Sequence, residues 1–476
     1  MSTSLEPTPA SAAVPRRAIV AGASLGGLLA ARVCADHFDE VVVLDRDALP
    51  AAAERRKGAP QSVHAHGLIS TGREILEGLF PGLTDSLVAQ GAVLADAGLG
   101  SRRLIEGSYH ARFEAGRLSL SVSRLLLEHE VRTRLLANPR VRIFARTEVV
   151  TPRLDAAGNR VTGVRVVDRD GGGTERELAC DLFIDATGRG SRLPRWLEAL
   201  GYPVPAEDRV EVDIRYATRY YRRKATHLDG QNVCILALNH PGRRAGVMLA
   251  VEGDRWVVSV GGLPGDHPPL DAEGFERYVK GLPGPDIAQT IADSEPLGDV
   301  EGYGFPASVH RRYDRLDRFP EGCLAFGDAI SSFNPIYGQG MTVAALEARA
   351  LGALLAAGAQ DLAPRFFRET ARLIEIPWSI AVSNDLRYGT GTARRDKAKA
   401  IRNYLRALHR AASRDVAVAR AFAEVLALRQ GPASLLAPRV AWRVGVAWLL
   451  ERFGTTRGVA PSASAAARPA TLTPAD

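Results

Sequence analysis

Three glycine-rich turns carry the residues of this 476-residue chain whose types and spacing could do chemistry. The first is Gly22-Ala-Ser24-Leu-Gly26-Gly27, directly after a short apolar run and at the head of an apolar helix. A tight turn needs its first glycine, and close helix–strand packing needs its last. The position between them must let backbone N–H groups approach a phosphate seated on the helix N-terminus. Ser24 stands there instead of a glycine and is small enough to be tolerated. Asp45, followed by Arg46, lies 23 residues beyond Gly22, where a carboxylate can accept from ribose hydroxyls. The second turn is Asp185-Ala-Thr187-Gly188-Arg189-Gly190-Ser191, and the third is Gly327-Asp328, followed by Asn334-Pro335-Ile-Tyr337-Gly338-Gln-Gly340-Met341. Singly, the last two read equally well as ordinary strand-to-loop turns. All three in this order point to one dinucleotide site.

Such turns need elements to hold them. Ala18–Val20 reads as a buried strand, followed by a helix to about His37 and a strand over Val41–Leu44. This is a βαβ unit, in which a crossover helix joins two parallel strands. Helices are expected near Ser70–Leu79 and Ser123–Leu136, the latter with Leu125, Leu126, Val131, Leu135 and Leu136 as its apolar face. Strands are expected at Val141–Phe144, Val161–Asp168 and Asp181–Asp185. Over 210–262, runs of strand formers alternate with Gly, Pro, Asn and Asp, the pattern of an antiparallel sheet. The stretch 322–330 then returns to a buried strand, Met341–Ala357 is an Ala/Leu-rich helix, and the rest to Phe453 is mostly helical.

The expected fold class is α/β, a Rossmann-type nucleotide-binding domain with an inserted antiparallel-sheet substrate domain and a helical C-terminal region. Residues 16–200 and 301–390 form the two parts of the nucleotide-binding domain, 201–300 the sheet domain and 391–454 the C-terminal helices. The Ser-, Thr-, Pro- and Ala-rich ends, 1–15 and 455–476, read as disordered tails.

Composition narrows the function. The net charge of +7 arises from 61 Lys and Arg against 54 Asp and Glu, interspersed along the chain. That argues against a phosphate-tracking stripe and hence against nucleic acid as a partner. Only five of the basic residues are Lys, which reads as genomic base composition. No apolar run approaches the roughly 18 residues of a membrane span, so no integral membrane segment is expected. The N-terminus lacks a charged region followed by an apolar one, and a cytoplasmic location is expected. Cys34, Cys180, Cys234 and Cys323 are widely separated, which speaks against a disulfide framework or structural zinc.

With these motifs in this order, residues 16–390 resemble the class A FAD-dependent monooxygenases, the group that includes para-hydroxybenzoate hydroxylase. D-A-T-G-x-G-S stands where that family has its usual Asp-Gly motif. Arg56-Lys57-Gly58-Ala59-Pro60-Gln61 with His64-Ala-His66 is similar to a stretch of the bacterial polyether (lasalocid-type) epoxidases. Leu79-Phe80-Pro81-Gly82, Asn334 to Gly338, and Pro377-Trp378 through Asp385-Leu386-Arg387-Tyr388 look like that branch as well. The resemblance implies an FAD domain of the GR2 type, with NAD(P)H as co-substrate. Gly22, Ser24 and Gly27, with Gly26 beside them, would hold the pyrophosphate, and Asp45, beside Arg46, the adenosine ribose. Arg56 and Arg124 match family arginines near the ribose and phosphates. Asp185 and Gly188 belong to the second motif and Gly327 to the third, where Asp328 would bond the ribityl chain. Pro335, Gly338 and Gly340 would pass beside the isoalloxazine. The helix beginning near Met341 would aim its positive end at reduced flavin, a term of about 0.3–1 kcal/mol.

The implied reaction passes one oxygen atom of O2, activated at the flavin C4a position, to an apolar natural product. Alkene epoxidation is the leading reading, with aromatic hydroxylation or isoprenoid double-bond reduction as alternatives. No protein nucleophile is required, and no catalytic residue is singled out. The oligomeric state is left open. His64 and His66 are spaced like alternate residues of a strand, but no third metal ligand is predictable nearby, so no metal site is expected. They orient a ligand or simply pack. Tyr337 lines the pocket or packs. The basic segment Arg394–Arg414 has Ile401, Tyr404, Leu405 and Leu408 at helical spacing. Docking on the protein itself is the leading reading for it, with a membrane surface or a substrate entrance as alternatives. The helix Val440–Phe453, with Trp442 and Trp448, is equally ambiguous.

Overall fold

The computed structural model describes residues 15–170, 172–238, 242–335, 338–388 and 395–453. Nearly all of both expected tails, and Tyr337, lie outside the described residues. Five strands make a parallel sheet in the order Cys323–Ala325, Leu182–Asp185, Arg17–Ala21, Glu40–Leu44, Val141–Phe144. Ile19, Val43, Phe183, Ile184 and Leu324 are wholly buried, as strands covered on both faces require. The helices Leu25–Cys34 and Gly340–Ala356 pack together over this sheet, with Gly352 against Val33. Ala21 pairs with both Leu44 and Asp185, and Asp185 with Ala325. The carboxyl ends of the four strands are therefore level, and the turns that follow them share one edge, where open α/β sheets bind ligands.

A second sheet has eight strands, in the order Ser331–Ser332, Glu301–Arg311, Glu207–Arg222, Arg255–Gly262, Arg244–Val251, Val233–Leu236, Ser101–Ile105, Ser108–Tyr109. One face packs Cys234, Met248, Trp256 and Val258 against Phe275, Tyr278 and Ile287 of two helices, Ala272–Lys280 and Asp286–Ala292. The span 210–262 supplies the middle of the sheet as expected, but strands from 101–109 and 301–311 join it from outside. Ser101–Ile105 carries two arginines, and Glu301–Arg311 carries Pro306, so neither reads as a sheet strand. Pro306 sits opposite the bulge between Glu211 and Ile214, where a missing N–H costs no ladder bond. A third, antiparallel sheet joins Thr147–Leu154, Val161–Asp168 and Glu175–Ala179, of which only the middle strand is legible from composition. In the helix Arg124–Leu136, Leu126, Val131 and Leu135 are buried as expected and Leu127 joins them, while Leu136 faces solvent.

The C-terminal region is helical: Leu362–Tyr388, Arg395–Ala412, Val416–Leu426 and Pro438–Phe453. Leu408, Ala411 and Ala412 are fully buried against Val418, Val425, Leu435, Val444 and Phe113. The basic helix is thus docked on its own protein. Trp442 is 74% exposed on the last helix. Among the described residues no helix is long and apolar enough to cross a membrane.

Candidate functional site

A cavity of about 1340 Å³ runs from the carboxyl edge of the parallel sheet to the open face of the eight-stranded sheet. It exceeds the roughly 300–1,000 Å³ of a pocket for one ligand, so a cofactor and a substrate fit together. Of the sixteen candidate residues, fourteen line it: Gly22, Ser24, Gly26, Asp45, Arg46, Arg56, Arg124, Gly188, Gly327, Asp328, Pro335, Gly338, Gly340 and Met341. Gly27 and Asp185 do not. A Cβ on Gly27 would lie 1.8 Å from the Gly22 carbonyl oxygen, so this glycine seats the helix on the strand. Asp185 is wholly buried and accepts from Thr187 N, Thr187 Oγ1 and Ser191 Oγ at 2.9, 2.5 and 2.6 Å. Its carboxylate braces the second turn and does not face a ligand.

The first turn is built to receive an anion. Gly22 has φ +105°, and a Cβ there would meet the Ala186 carbonyl oxygen at 2.5 Å. Ser24 starts the helix Leu25–Cys34 without a side-chain cap, leaving first-turn N–H groups for a ligand. Its hydroxyl instead donates to Glu128 at 3.1 Å and accepts from Arg56 at 3.0 Å. Asp45 accepts from Ala23 N at 2.7 Å and Asp47 N at 2.9 Å and pairs with Arg56 at 3.3 Å. With roughly four lone-pair sites on a carboxylate, about one remains for a hydroxyl.

Glu128, which sequence reasoning missed, organises this corner. Ser123 caps the helix by accepting from Leu126 N, and Arg124 and Glu128 then share one face at i, i+4. Glu128 bonds Arg124 at 2.9 Å and Arg56 at 3.2 Å. Burial works against its charge, but the two guanidinium groups prevail and hold the carboxyl below its usual range. Glu128 in turn, with Asp45 and Asp47, raises Arg56 despite its own desolvation. The signal was available, since Glu128 lies one helical turn beyond Arg124.

The second and third turns meet on the same edge, where a Cβ on Gly188 would lie 3.8 Å from the Asp328 Cβ. Gly188 and Gly327 have φ +75° and +65°, the left-handed region that favours glycine. Asp328 is open to the cavity yet deep within the protein, and desolvation raises its carboxyl above the usual range against the pull of Arg189 and Arg124. Beneath it lies a second acid that the sequence did not flag. Glu347, wholly buried on the helix Gly340–Ala356, accepts from Gly327 N at 2.6 Å, and its other oxygen has no partner among the described residues. Burial, with Asp328 adding to it, pushes Glu347 up to about 8.

The far wall is the open face of the eight-stranded sheet, with Tyr216, Val233, Ile235, Val247 and Leu249 among its residues. Tyr216 donates to Asn334 at 2.5 Å and so ties the sheet to the third motif. His64 and His66 both line the cavity, but in irregular chain after a 3-10 turn at Pro60–Val63 and not on a strand. His64 Nδ1 lies 2.7 Å from Thr218 Oγ1, and His66 Nδ1 lies 2.9 Å from the His64 carbonyl. Burial lowers both to about 4, so both are neutral at pH 7. Because a carbonyl only accepts, His66 Nδ1 carries the proton and Nε2 is left as an acceptor. Among the described residues no group of three or more His, Cys, Asp or Glu could hold a metal. Tyr404, Leu405 and His409 of the docked basic helix close the cavity on its other side, so that helix covers the site as well.

No protein-family model matches the chain. Protein Rv3254 of Mycobacterium tuberculosis is 36% identical over 389 residues, covering 79% of this chain and 81% of the relative. Among solved structures, a flavoprotein/dehydrogenase from Cytophaga hutchinsonii superposes with a TM-score of 0.65 at 16% identity, over 92% of this chain and 99% of that one. The p-nitrophenol 4-monooxygenase PnpA from Pseudomonas putida DLL-E4 gives 0.62 at 16% identity, over 88% and 99%. The flavin-dependent brominase Bmp2 gives 0.63 at 14% identity, over 91% and 98%. These likenesses establish the fold, that of the flavin-dependent monooxygenases; the branch nearest the polyether epoxidases is not distinguished by them.

Proposed function

The chain belongs to the family of Protein Rv3254 of Mycobacterium tuberculosis, and we propose that it is an FAD-dependent monooxygenase that inserts one atom of O2 into an apolar substrate, with NAD(P)H as reductant. One observation carries the reading. Five separated segments bring fourteen candidate residues to a single cavity, whose opposite wall is mostly apolar sheet. The uncapped helix start after Ser24, with Arg56 and Arg124, suits a pyrophosphate, and Asp45 has room for a ribose hydroxyl. Asp328 suits the ribityl chain. Gly338 and Gly340 leave backbone open to a flat ring, and Met341 begins the helix behind it. FAD bound there supplies the oxygen chemistry; the chain orients the substrate on the sheet and excludes water.

Epoxidation of an alkene is the favoured reaction within this class, because it needs no protein base, and the stretch Arg56–His66 is the polyether-epoxidase-like one. Hydroxylation of a phenol has one observation in its favour, neutral His66 on the cavity wall, whose unprotonated Nε2 can accept a hydrogen bond from a ring hydroxyl. Turnover under labelled oxygen with polyene and phenolic substrates, read by mass spectrometry, separates the two. Label in a ring hydroxyl with alkenes untouched would make the enzyme a hydroxylase. Protein that neither retains nor takes up FAD would overturn the whole assignment.

A further inference from the structure

Among the described residues, the sheet wall of the cavity carries one cation. Arg103 sits mid-strand in Ser101–Ile105, with its side chain on the cavity side together with those of Ser101 and Ile105, while Leu104 points into the opposite core. Its backbone pairs with Ile235, another cavity residue. Arg103 donates one N–H to the Ala97 carbonyl at 2.8 Å. Among the described residues no carboxylate forms an ion pair with it, and Asp96 acts on it only at longer range. Asp96 itself is spent on the backbone N–H groups of Gly98, Leu99, Ala115 and Gly116. Burial lowers Arg103 only to about 10, so the guanidinium is charged at neutral pH. An unpaired charge in an apolar wall costs stability, and such groups persist where a ligand completes them.

We propose that Arg103 anchors an acidic group at the far end of the substrate, a carboxylate carried on an elongated apolar chain. This rests on the monooxygenase reading and names the substrate class for it. A guanidinium fork matches a carboxylate with two parallel hydrogen bonds, which a neutral alcohol or ester cannot reproduce. The position sets the length. Arg103 lies four strands from Glu207–Arg222, whose Tyr216 holds Asn334 beside the third motif. At about 4.8 Å per strand this is on the order of 19 Å along the sheet. The wall between is lined by Val233, Ile235, Val247 and Leu249, which suit a hydrocarbon chain. The reacting carbons then lie under Pro335 and Gly338 while the acid is held beneath Tyr404 and His409 of the helical cover.

Calorimetric titration of the flavin-loaded protein with oleate and with oleyl alcohol tests this. Wild type should bind the acid at least 10-fold more tightly than the alcohol. Arg103→Gln should abolish that preference without moving the alcohol's Kd, and Arg103→Lys should keep part of it, which separates lost recognition from lost folding. Equal affinity for the two, binding of neither, or a preference that survives in Arg103→Gln would overturn the assignment. Flavin uptake is read by absorbance in the same samples, so failure of the monooxygenase reading shows there and failure of the acid anchor shows in the titration.

Discussion

Glu347 should make this protein less stable as the pH rises through neutrality, and Glu347→Gln should remove that loss. In the folded chain its carboxyl is wholly buried, bonded to Gly327 N through one oxygen and, among the described residues, partnerless at the other, and titrates at about 8 in place of its usual 4.5. The folded state therefore favours the proton. Its stabilising contribution is complete below pH 4.5 and falls away as the pH rises toward 8. Each pH unit within that window costs about 1.4 kcal/mol, so the loss is about 1 kcal/mol at pH 5 and about 3 kcal/mol at pH 7. A glutamine never ionises and can still accept from Gly327 N. For a chain of this length unfolding as one unit, about 1 kcal/mol corresponds to a degree in Tm. The variant should then melt about 1 °C above wild type at pH 5 and about 3 °C above at pH 7, followed by circular dichroism. A gap that does not widen with pH, or a variant that melts below wild type at pH 7, would refute the reasoning.

The neighbouring glycines should behave oppositely: Gly26→Ala meets only the Phe326 ring at 3.8 Å and should fold and take up flavin normally, whereas Gly27→Ala strikes the Gly22 carbonyl and should yield insoluble protein on expression. Asp328→Ala removes a charge-assisted hydrogen bond worth about 1.5–3 kcal/mol, so FAD affinity by direct titration should fall on the order of 10- to 100-fold with the circular dichroism spectrum unchanged. Glu128→Gln leaves Arg124 without its carboxylate; the flavin-free protein should lose about 3–5 kcal/mol of stability in urea unfolding, and part of it should return when FAD brings phosphates to the two arginines.

The parts of the fold that could be read from the sequence are those whose neighbours in space are near in the chain. Arg17–Ala21, Leu25–Cys34 and Glu40–Leu44 form one continuous βαβ unit, and an all-apolar strand beside a glycine turn announces it. Glu301–Arg311 was not legible, because what makes it a strand is its pairing with Glu207–Arg222 about ninety residues earlier. Ser101–Ile105 was hidden for the same reason, since it pairs in parallel with Val233–Leu236 and buries Leu104 only against helices from 272–292. Its two arginines look like a solvated stretch until the sheet is assembled. Then Arg102 turns to Asp229 and Asp286, and Arg103 to the cavity.

The same division runs through the site. The proposed cofactor end is made of turns at strand ends, where backbone geometry is imposed on consecutive residues, so Gly22 and Asp45 could be singled out from spacing and Asp328 from the order of the three turns and the family resemblance. Even there, spacing could not tell a lining residue from a brace: Asp185 ends a buried strand and Asp328 lies in the turn after one, and the hydroxyls of Thr187 and Ser191 hold the first inward. Glu128 and Glu347 act through other groups, on Arg124 and Gly327; the first was readable as an i, i+4 partner of Arg124, but a helix sequence does not reveal that Glu347 will lie beneath the turn at Gly327. The substrate end is made of single side chains from strands and helices hundreds of residues apart, Arg103, Tyr404 and His409 lining one cavity. No motif need survive there, because any residue of suitable size and charge at those positions reshapes the pocket without disturbing the sheet. The fold thus separates a cofactor end fixed by backbone from a substrate end set by side chains, and it is at the second, at Arg103, that substrate choice is decided.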